Sequence, residues 1–142
     1  MGYVEAGKAD GAEVVTGGFA LDGPGYFIKP TIFADVDASM SIVREEIFGP
    51  VLVASRFKSM EDLSALGNAS PYGLAAGIFT RDISKAHKAA RALRAGNVWI
   101  NCYGVIDKSM PFGGFKQSGW GREGGPEGFD SFVEHKAVYV GL

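Results

Sequence analysis

Two kinds of hydrophobic pattern alternate along this chain, one typical of strands and one typical of helices. Runs rich in Val, Ile, Phe and Ala predict strands at 13–18, 26–36, 51–57, 74–80 and 97–101. Apolar residues at helical spacing predict helices at 1–11, 59–68 and 82–93, with a short helical turn that ends within 44–47. Strands that alternate with helices across short connections are the pattern of a parallel α/β sheet.

Polar residues at the predicted helix ends support these assignments. Ser59 and Asp62 have capping-box spacing, and Asp82 stands where an N-cap is needed. No N-cap precedes the first helix, so we expect that the chain begins inside a helix. Pro30 interrupts the segment 26–36, which suits an edge strand or a break in the strand.

The alternation stops after Asn101. Residues 102–128 are rich in glycine and contain the aromatic residues Tyr103, Phe112, Phe115 and Trp120. A loop of this length inside a domain is usually functional, and open α/β sheets keep their sites at the carboxyl ends of strands. We therefore expect an ordered, functional loop here, followed by a helical turn at 129–132 and a terminal strand at 133–140.

Composition indicates one globular domain. The chain has 142 residues, of which 46% are hydrophobic and 21% are charged. Its net charge of −2 gives no electrostatic footprint for nucleic acid or an anionic membrane. No apolar run approaches the ~20 residues that cross a bilayer. We therefore expect neither nucleic acid nor a membrane as a partner.

Cys102 is the one cysteine, which excludes an internal disulfide and a multi-cysteine zinc site. We expect no metal site and a reducing, cytoplasmic location. Cys102 directly follows the predicted strand 97–101, where it is either a nucleophile or a buried structural residue. His87 lies in a helix rich in Lys and Arg, where a solvated position is expected, and His135 lies on the terminal strand. We favour the buried structural role for Cys102.

The segment "GWGREGG" (119–125) raises two binding hypotheses that we reject. It is not a dinucleotide fingerprint, because Pro126 and Gly128 interrupt the helix that must follow one. Aromatic residues between glycines also occur in RNA-binding tracts, but this stretch lacks both repetition and positive charge.

The segment "EEIFGP" (45–50) places two carboxylates and an aromatic ring on a short bend. Gly49-Pro50 is a turn signal, and Pro50 disfavours helix at Gly49. One interpretation is a solvated turn with a single anchoring Phe. The other is a ligand site, and for Glu45 alone the expected state is simple solvent exposure.

Several segments taken in order decide between these interpretations, namely "EEIFGP", "YGLAAGIFTRD", "AGNVWINCY", "PFGGFKQSGWGRE" and "VEHKAVYV". Together they resemble the C-terminal part of the aldehyde dehydrogenase superfamily, nearest to the NAD(P)-dependent betaine-aldehyde and general-aldehyde type. The resemblance implies an α/β fold, with a mostly parallel sheet, flanking helices and a terminal oligomerisation strand. It implies that 1–128 is an incomplete C-terminal portion of the catalytic domain, and that 129–142 is the terminal turn and oligomerisation strand.

The resemblance also implies roles for single residues. Glu46 corresponds to the carboxylate that hydrogen-bonds the nicotinamide ribose of NAD or NADP, and Phe48 to the ring that packs beside the nicotinamide. Ile106 and Phe112 correspond to residues that line the substrate tunnel. Tyr103 and Trp120 either line that tunnel or pack in the core, and the segment 121–123 is expected to anchor the loop through an Arg-Glu pair.

The family's catalytic cysteine, general-base glutamate and dinucleotide-binding domain all lie N-terminal to the part that this chain resembles. We therefore expect no catalytic residue here and no activity from the chain alone. The expected partners are a small-molecule aldehyde, the missing N-terminal half of the enzyme, and further copies of the chain through 133–140. The alternative function is a free-standing, non-enzymatic assembly module.

Overall fold

Strands and helices alternate along the chain much as the hydrophobic pattern predicts. The computed structural model describes residues 1–142. The chain divides into two units, Met1–Ser70 and Pro71–Leu142. This division falls inside the predicted catalytic portion 1–128, and the functional boundary expected after residue 128 stays a prediction.

The first unit combines three helices with a three-stranded sheet. Its elements are α1 (Gly2–Ala9), β1 (Glu13–Thr16), β2 (Thr31–Ala34), α2 (Ser41–Arg44), β3 (Val51–Val53) and α3 (Met60–Asn68). The strand order is β1-β2-β3, antiparallel between β1 and β2 and parallel between β2 and β3. Strand β2 begins only after Pro30, which confirms the predicted break. Ser59 and Asp62 form the predicted capping box at α3.

The core of the first unit forms where α1 meets β2 and α2. Val4, Ala12, Phe33 and Ile42 are its buried apolar residues. Gly7 of α1 is buried among them. A Cβ atom at Gly7 would lie 2.9 Å from Ile42 Cδ1 and 3.1 Å from the Phe33 ring. The missing side chain therefore lets the backbone of α1 approach this core closely.

The second unit contains two small sheets and one α-helix. Its elements are β4 (Tyr72–Gly73), β5 (Ala75–Ile78), α4 (Ile83–Ala92), β6 (Asn97–Ile100), β7 (Phe115–Lys116) and a 3₁₀ helix (Pro126–Phe132). Strands β5 and β6 pair in parallel, and β4 pairs with β7 in the antiparallel direction. Helix α4 buries Ala86 and Ala89, and the Asp82 side chain accepts a hydrogen bond from the Lys85 backbone as its predicted cap.

The sheet arrangement differs from the expected mostly parallel sheet. The mixed α/β class is confirmed, but the strands form three separate small sheets with two parallel and two antiparallel pairings. Pairing depends on which strand edges meet, and a hydrophobic pattern along one strand does not specify its neighbour. Strand β7 lies within the Gly-rich segment 102–128, for which the hydrophobic pattern predicts no strand.

The end of the chain also departs from expectation. The predicted turn at 129–132 lies within the 3₁₀ helix, but 133–140 forms no strand and every residue from 133 to 142 is exposed. A strand is held by ladder hydrogen bonds to a neighbour, and no strand of this chain pairs with these residues. Its expected part in oligomerisation stays a prediction. None of the helices combines the length and the apolar character that spanning a membrane requires.

The backbones of Gly96 and Gly113 approach each other closely in the second unit. A Cβ atom at Gly96 would overlap the carbonyl oxygen of Gly113. Because backbone cannot move aside as a flexible side chain can, we expect Gly96→Ala to lower the free energy of unfolding by roughly 1–3 kcal/mol, the usual cost of overpacking. Urea denaturation followed by circular dichroism measures it. Gly141→Ala is the control, since nothing lies within 4 Å of a Cβ there; equal midpoints for both variants would contradict the prediction.

Candidate functional site

The bend 45–50 is held at both of its ends. Glu45 leaves α2 in an extended conformation, with φ −108° and ψ 152°, while its backbone N–H donates to the Ser41 carbonyl. Gly49 N–H donates to the Ile47 carbonyl at 2.9 Å. The Pro50 carbonyl accepts from the Thr31 N–H of β2 at 2.9 Å. The predicted turn at Gly49-Pro50 is therefore present and is tied to the sheet.

Side chains along this bend alternate between held and free. The Tyr3 hydroxyl donates to Glu45 Oε2 at 2.8 Å, and Ile47 packs against the core of the first unit. Glu46 is exposed and makes no hydrogen bond or ion pair within the chain, and Phe48 is 96% exposed. The side chains of Glu46 and Phe48 are therefore free, while those of Glu45 and Ile47 are held.

This arrangement suits a ligand that has hydroxyl groups next to a flat ring. An ionised carboxylate only accepts hydrogen bonds and can take two hydroxyl protons at once. An exposed phenyl ring offers a face or edge to another ring. Neither the carboxylate of Glu46 nor the ring of Phe48 packs or bonds within the chain. This disfavours the interpretation of Phe48 as an anchor of the turn. Glu45 is exposed as expected, but its bond to Tyr3 gives it a structural contact that the sequence did not predict.

Within the Gly-rich segment, Arg122 ties separate parts of the loop together. Its Nη1 donates to the carbonyl oxygens of Gly114 at 3.0 Å and Gly121 at 2.6 Å. Its guanidinium lies 5.3 Å from the centre of the Phe115 ring. The predicted anchor at 121–123 is thus Arg122 acting on carbonyl groups. Glu123 contributes its backbone, in a reciprocal pair with Phe112, and no Arg-Glu pair forms.

An open cavity of about 840 Å³ lies beside this loop in the second unit. Apolar side chains dominate its wall, namely Leu74, Phe112, Trp120, Phe129 and Phe132. Phe112 is thus placed on a cavity wall, whereas Ile106 is 66% exposed and lies outside it. Trp120 is fully exposed, which excludes a core-packing role in this chain.

A turn at 107–109 precedes the cavity wall and places Lys108 on it, next in sequence to Asp107. The backbone N–H of Ser109 and its hydroxyl donate to Asp107 Oδ1 at 2.9 and 2.8 Å. These hydrogen bonds, the backbone one first, hold the pKa of Asp107 below its ordinary value. Asp107 therefore stays ionised further into the acid range, next to Lys108, which lines the cavity.

The segment after β6 turns to the surface. Asn101 has φ +56°, and its side-chain oxygen accepts a hydrogen bond from the Thr80 N–H. Cys102 is consequently exposed, so the expected buried position is wrong for this chain. The Tyr103 ring packs against Trp99 with centroids 4.9 Å apart. His87 is exposed as predicted, and no group of His, Cys, Asp and Glu that could hold a metal ion is present.

Comparison with known proteins assigns the family. A model described as the aldehyde dehydrogenase family matches residues 1–138. The chain belongs to the aldehyde dehydrogenase family. Mitochondrial aldehyde dehydrogenase of Equus caballus is 49% identical over 140 residues, which are 99% of this chain and 28% of that protein. An aldehyde dehydrogenase of Aspergillus niger is 49% identical over 142 residues, which are 100% and 29%.

Solved aldehyde dehydrogenase structures superpose closely on the chain. The NAD⁺ complex of the Bacillus cereus enzyme has a TM-score of 0.93 and 49% identity, covering 99% of this chain and 29% of that one. KauB from Pseudomonas aeruginosa has a TM-score of 0.92 and 48% identity, with the same coverage. The chain therefore spans less than a third of the length of these aldehyde dehydrogenases.

The contacts of Arg122 give the second prediction. Lysine keeps the charge, but its ammonium sits on a flexible chain and lacks the planar guanidinium that lies beside the Phe115 ring while Nη1 bonds both carbonyl groups. We expect Arg122→Lys to speed amide hydrogen exchange in residues 113–121 several-fold, because local opening of the loop becomes easier. Exchange followed by mass spectrometry measures this. Arg81→Lys is the matched control on an exposed arginine of the same unit, and equal exchange in the two variants would show that Arg122 does not anchor the loop.

Proposed function

We propose that this chain is the part of an NAD(P)-dependent aldehyde dehydrogenase that contacts the nicotinamide ribose, lines part of the substrate tunnel and provides assembly surface. The whole enzyme oxidises an aldehyde to a carboxylic acid. The observation that carries the proposal is the pair of free side chains in the bend 45–50. There Glu46 and Phe48 stand uncommitted, while their neighbours Glu45 and Ile47 are held.

The residues present fit NAD or NADP. A bound nicotinamide would supply the hydride acceptor. Glu46 would accept hydrogen bonds from the two ribose hydroxyls, and Phe48 would pack beside the nicotinamide ring. Both side chains restrict the ring to one orientation, which is how positioned groups favour a transfer reaction. The NAD⁺ complex of the similar Bacillus cereus enzyme supports NAD as the cofactor.

The substrate side of the proposal rests on the Gly-rich segment. Phe112 provides an apolar wall in the cavity of the second unit, and Ile106 is proposed to join it when the rest of the enzyme covers residues 102–110, all of which are exposed here. The nucleophilic cysteine and the general base are assigned to the remainder of the enzyme. Cys102 takes no part in the reaction.

Both units expose large aromatic side chains, and this exposure supports the proposal that another polypeptide covers them. Tyr26 and Phe48 in the first unit, and Trp120, Phe132 and Tyr139 in the second, are each at least 87% exposed. Several large apolar groups left in water are typical of a surface that another polypeptide covers. We propose that the remainder of the enzyme covers most of them, and that residues 133–140 join a sheet in a homo-oligomer.

A chimera tests the proposed function. The chain replaces the matching part of the Bacillus cereus aldehyde dehydrogenase, and NADH formation is measured with a panel of aliphatic and aromatic aldehydes. We expect the chimera to oxidise aldehydes and the chain alone to form no NADH, because the catalytic cysteine and the general base are assigned to the remainder of the enzyme. A folded chimera that binds no NAD⁺ would favour the alternative, a non-enzymatic assembly module. NADH formation by the chain alone would contradict the division of roles.

Removing the charge of Glu46 tests the assigned contact. In Glu46→Gln each ribose hydrogen bond falls from the charge-assisted range of ~1.5–3 kcal/mol toward ~1 kcal/mol. We expect single-turnover hydride transfer in the chimera to slow about tenfold, since ~1.4 kcal/mol is one decade in rate. Glu13→Gln is the control, on an exposed glutamate of the same unit. Hydride transfer at the unsubstituted rate in Glu46→Gln would remove this role.

A further inference from the structure

We propose that Tyr3 is a positioning residue for the nicotinamide ribose, acting through Glu45 on the carboxylate of Glu46. The inference rests on the proposed function of Glu46. Tyr3 belongs to α1 and therefore lies outside the bend 45–50, which carries the proposed cofactor contacts.

The position of Tyr3 is set by the packing of α1. Tyr3 and Gly7 are one helical turn apart and so share a face of α1. Gly7 lies against Ile42 and Phe33, and the adjacent Val4 is 1% exposed. The Tyr3 ring packs against this core. A tyrosine can bury its ring and still present its hydroxyl at the surface, so the hydroxyl is delivered to a fixed point.

The Tyr3 hydroxyl bonds Glu45, the member of the pair Glu45-Glu46 that is not assigned to the cofactor. Tyr3 Oη donates to Glu45 Oε2 at 2.8 Å, across 42 residues of sequence. A hydrogen bond from a hydroxyl to an ionised carboxylate is stronger and more directional than one between neutral groups. Glu45 is thereby fixed relative to α1 rather than left to sample solvent.

Fixing Glu45 constrains Glu46 through the backbone. Glu45 is extended at φ −108° and ψ 152°, so its side chain and that of Glu46 point in opposite directions. Ile47, on the far side of Glu46, packs in the core. The backbone of Glu46 is therefore held from both sides, by a hydrogen bond before it and by apolar packing after it.

The hydroxyl is well suited to a positioning role because the fold does not depend on it. Glu45 is exposed, so its carboxylate is hydrated when Tyr3 Oη is removed. The ring in Tyr3→Phe still packs on the core. The substitution should therefore loosen the bend while the first unit stays folded, which separates positioning from stability.

The experiment compares Tyr3→Phe, Glu45→Gln and the double variant in the chimera. Calorimetry gives the Kd for NAD⁺, single-turnover kinetics give hydride transfer, and steady-state kinetics give the KM for the aldehyde. We expect Tyr3→Phe to raise the Kd roughly two- to tenfold, the effect of one hydrogen bond, with the KM for the aldehyde unchanged. The double variant should be no worse than the worse single variant, because both remove one contact. In the chimera the control is Glu13→Gln, on an exposed glutamate of the same unit, which should leave the Kd unchanged. In the chain alone the control is Tyr26→Phe, on a fully exposed tyrosine.

Two outcomes would overturn the inference in distinguishable ways. If Glu46→Gln impairs NAD⁺ binding and hydride transfer but Tyr3→Phe does not, Glu46 keeps its function and Tyr3 loses the positioning role. If neither variant changes NAD⁺ binding or hydride transfer, the proposed ribose contact of Glu46 is wrong, and the inference about Tyr3 is wrong with it.

Hydrogen exchange in the 142-residue chain gives a readout that needs no cofactor. We expect Tyr3→Phe to speed exchange at the amide of Glu45, which donates to Ser41 of α2, and at the amide of Gly49, which donates to Ile47. Tyr26→Phe should change neither. Unchanged exchange in Tyr3→Phe would also overturn the inference.

Discussion

The close approach of α1 to the core at Gly7 is the constraint on which the first unit depends. A helix that carried a side chain there would meet the end of Ile42 and the ring of Phe33 at less than ordinary contact distance. Because Gly7 carries none, Phe33 is wholly buried and α2 lies directly against α1. The bend that follows α2 is thereby brought within hydrogen-bond distance of Tyr3. The placement of Glu46 and Phe48 thus begins with a residue that has no side chain.

Features with local causes were predictable from sequence. The caps at Ser59 and Asp82, the break at Pro30 and the turn at Gly49-Pro50 all depend on residues within four positions of one another. The structure contains each of them. Family motifs allowed predictions beyond local structure, because proteins that share a segment such as "EEIFGP" also share a fold.

Features that depend on distant partners were not predictable in the same way. Tyr3 and Glu45 are 42 residues apart, and no periodicity links them. The exposure of Cys102 follows from the left-handed backbone of Asn101, which no hydrophobic pattern reports. Ile106 and Phe112 were assigned together from family resemblance, yet only Phe112 lies on the cavity wall. Residues 133–140 have a strand-like sequence but lack a neighbour within the chain, so their sequence alone could not establish a strand.

The exposed state of residues 133–142 has a thermodynamic consequence for any assembly that uses them. Confining one residue to a single backbone conformation costs about 1–2 kcal/mol, so ordering this segment costs on the order of 10 kcal/mol before any contact is counted. Ladder hydrogen bonds and buried Val and Tyr side chains of a partner sheet must offset that cost. Strand formation by this segment would therefore be coupled to its association with a partner sheet. Its heat capacity change should be larger than that of a rigid interface of equal area, and its affinity should fall steeply on heating.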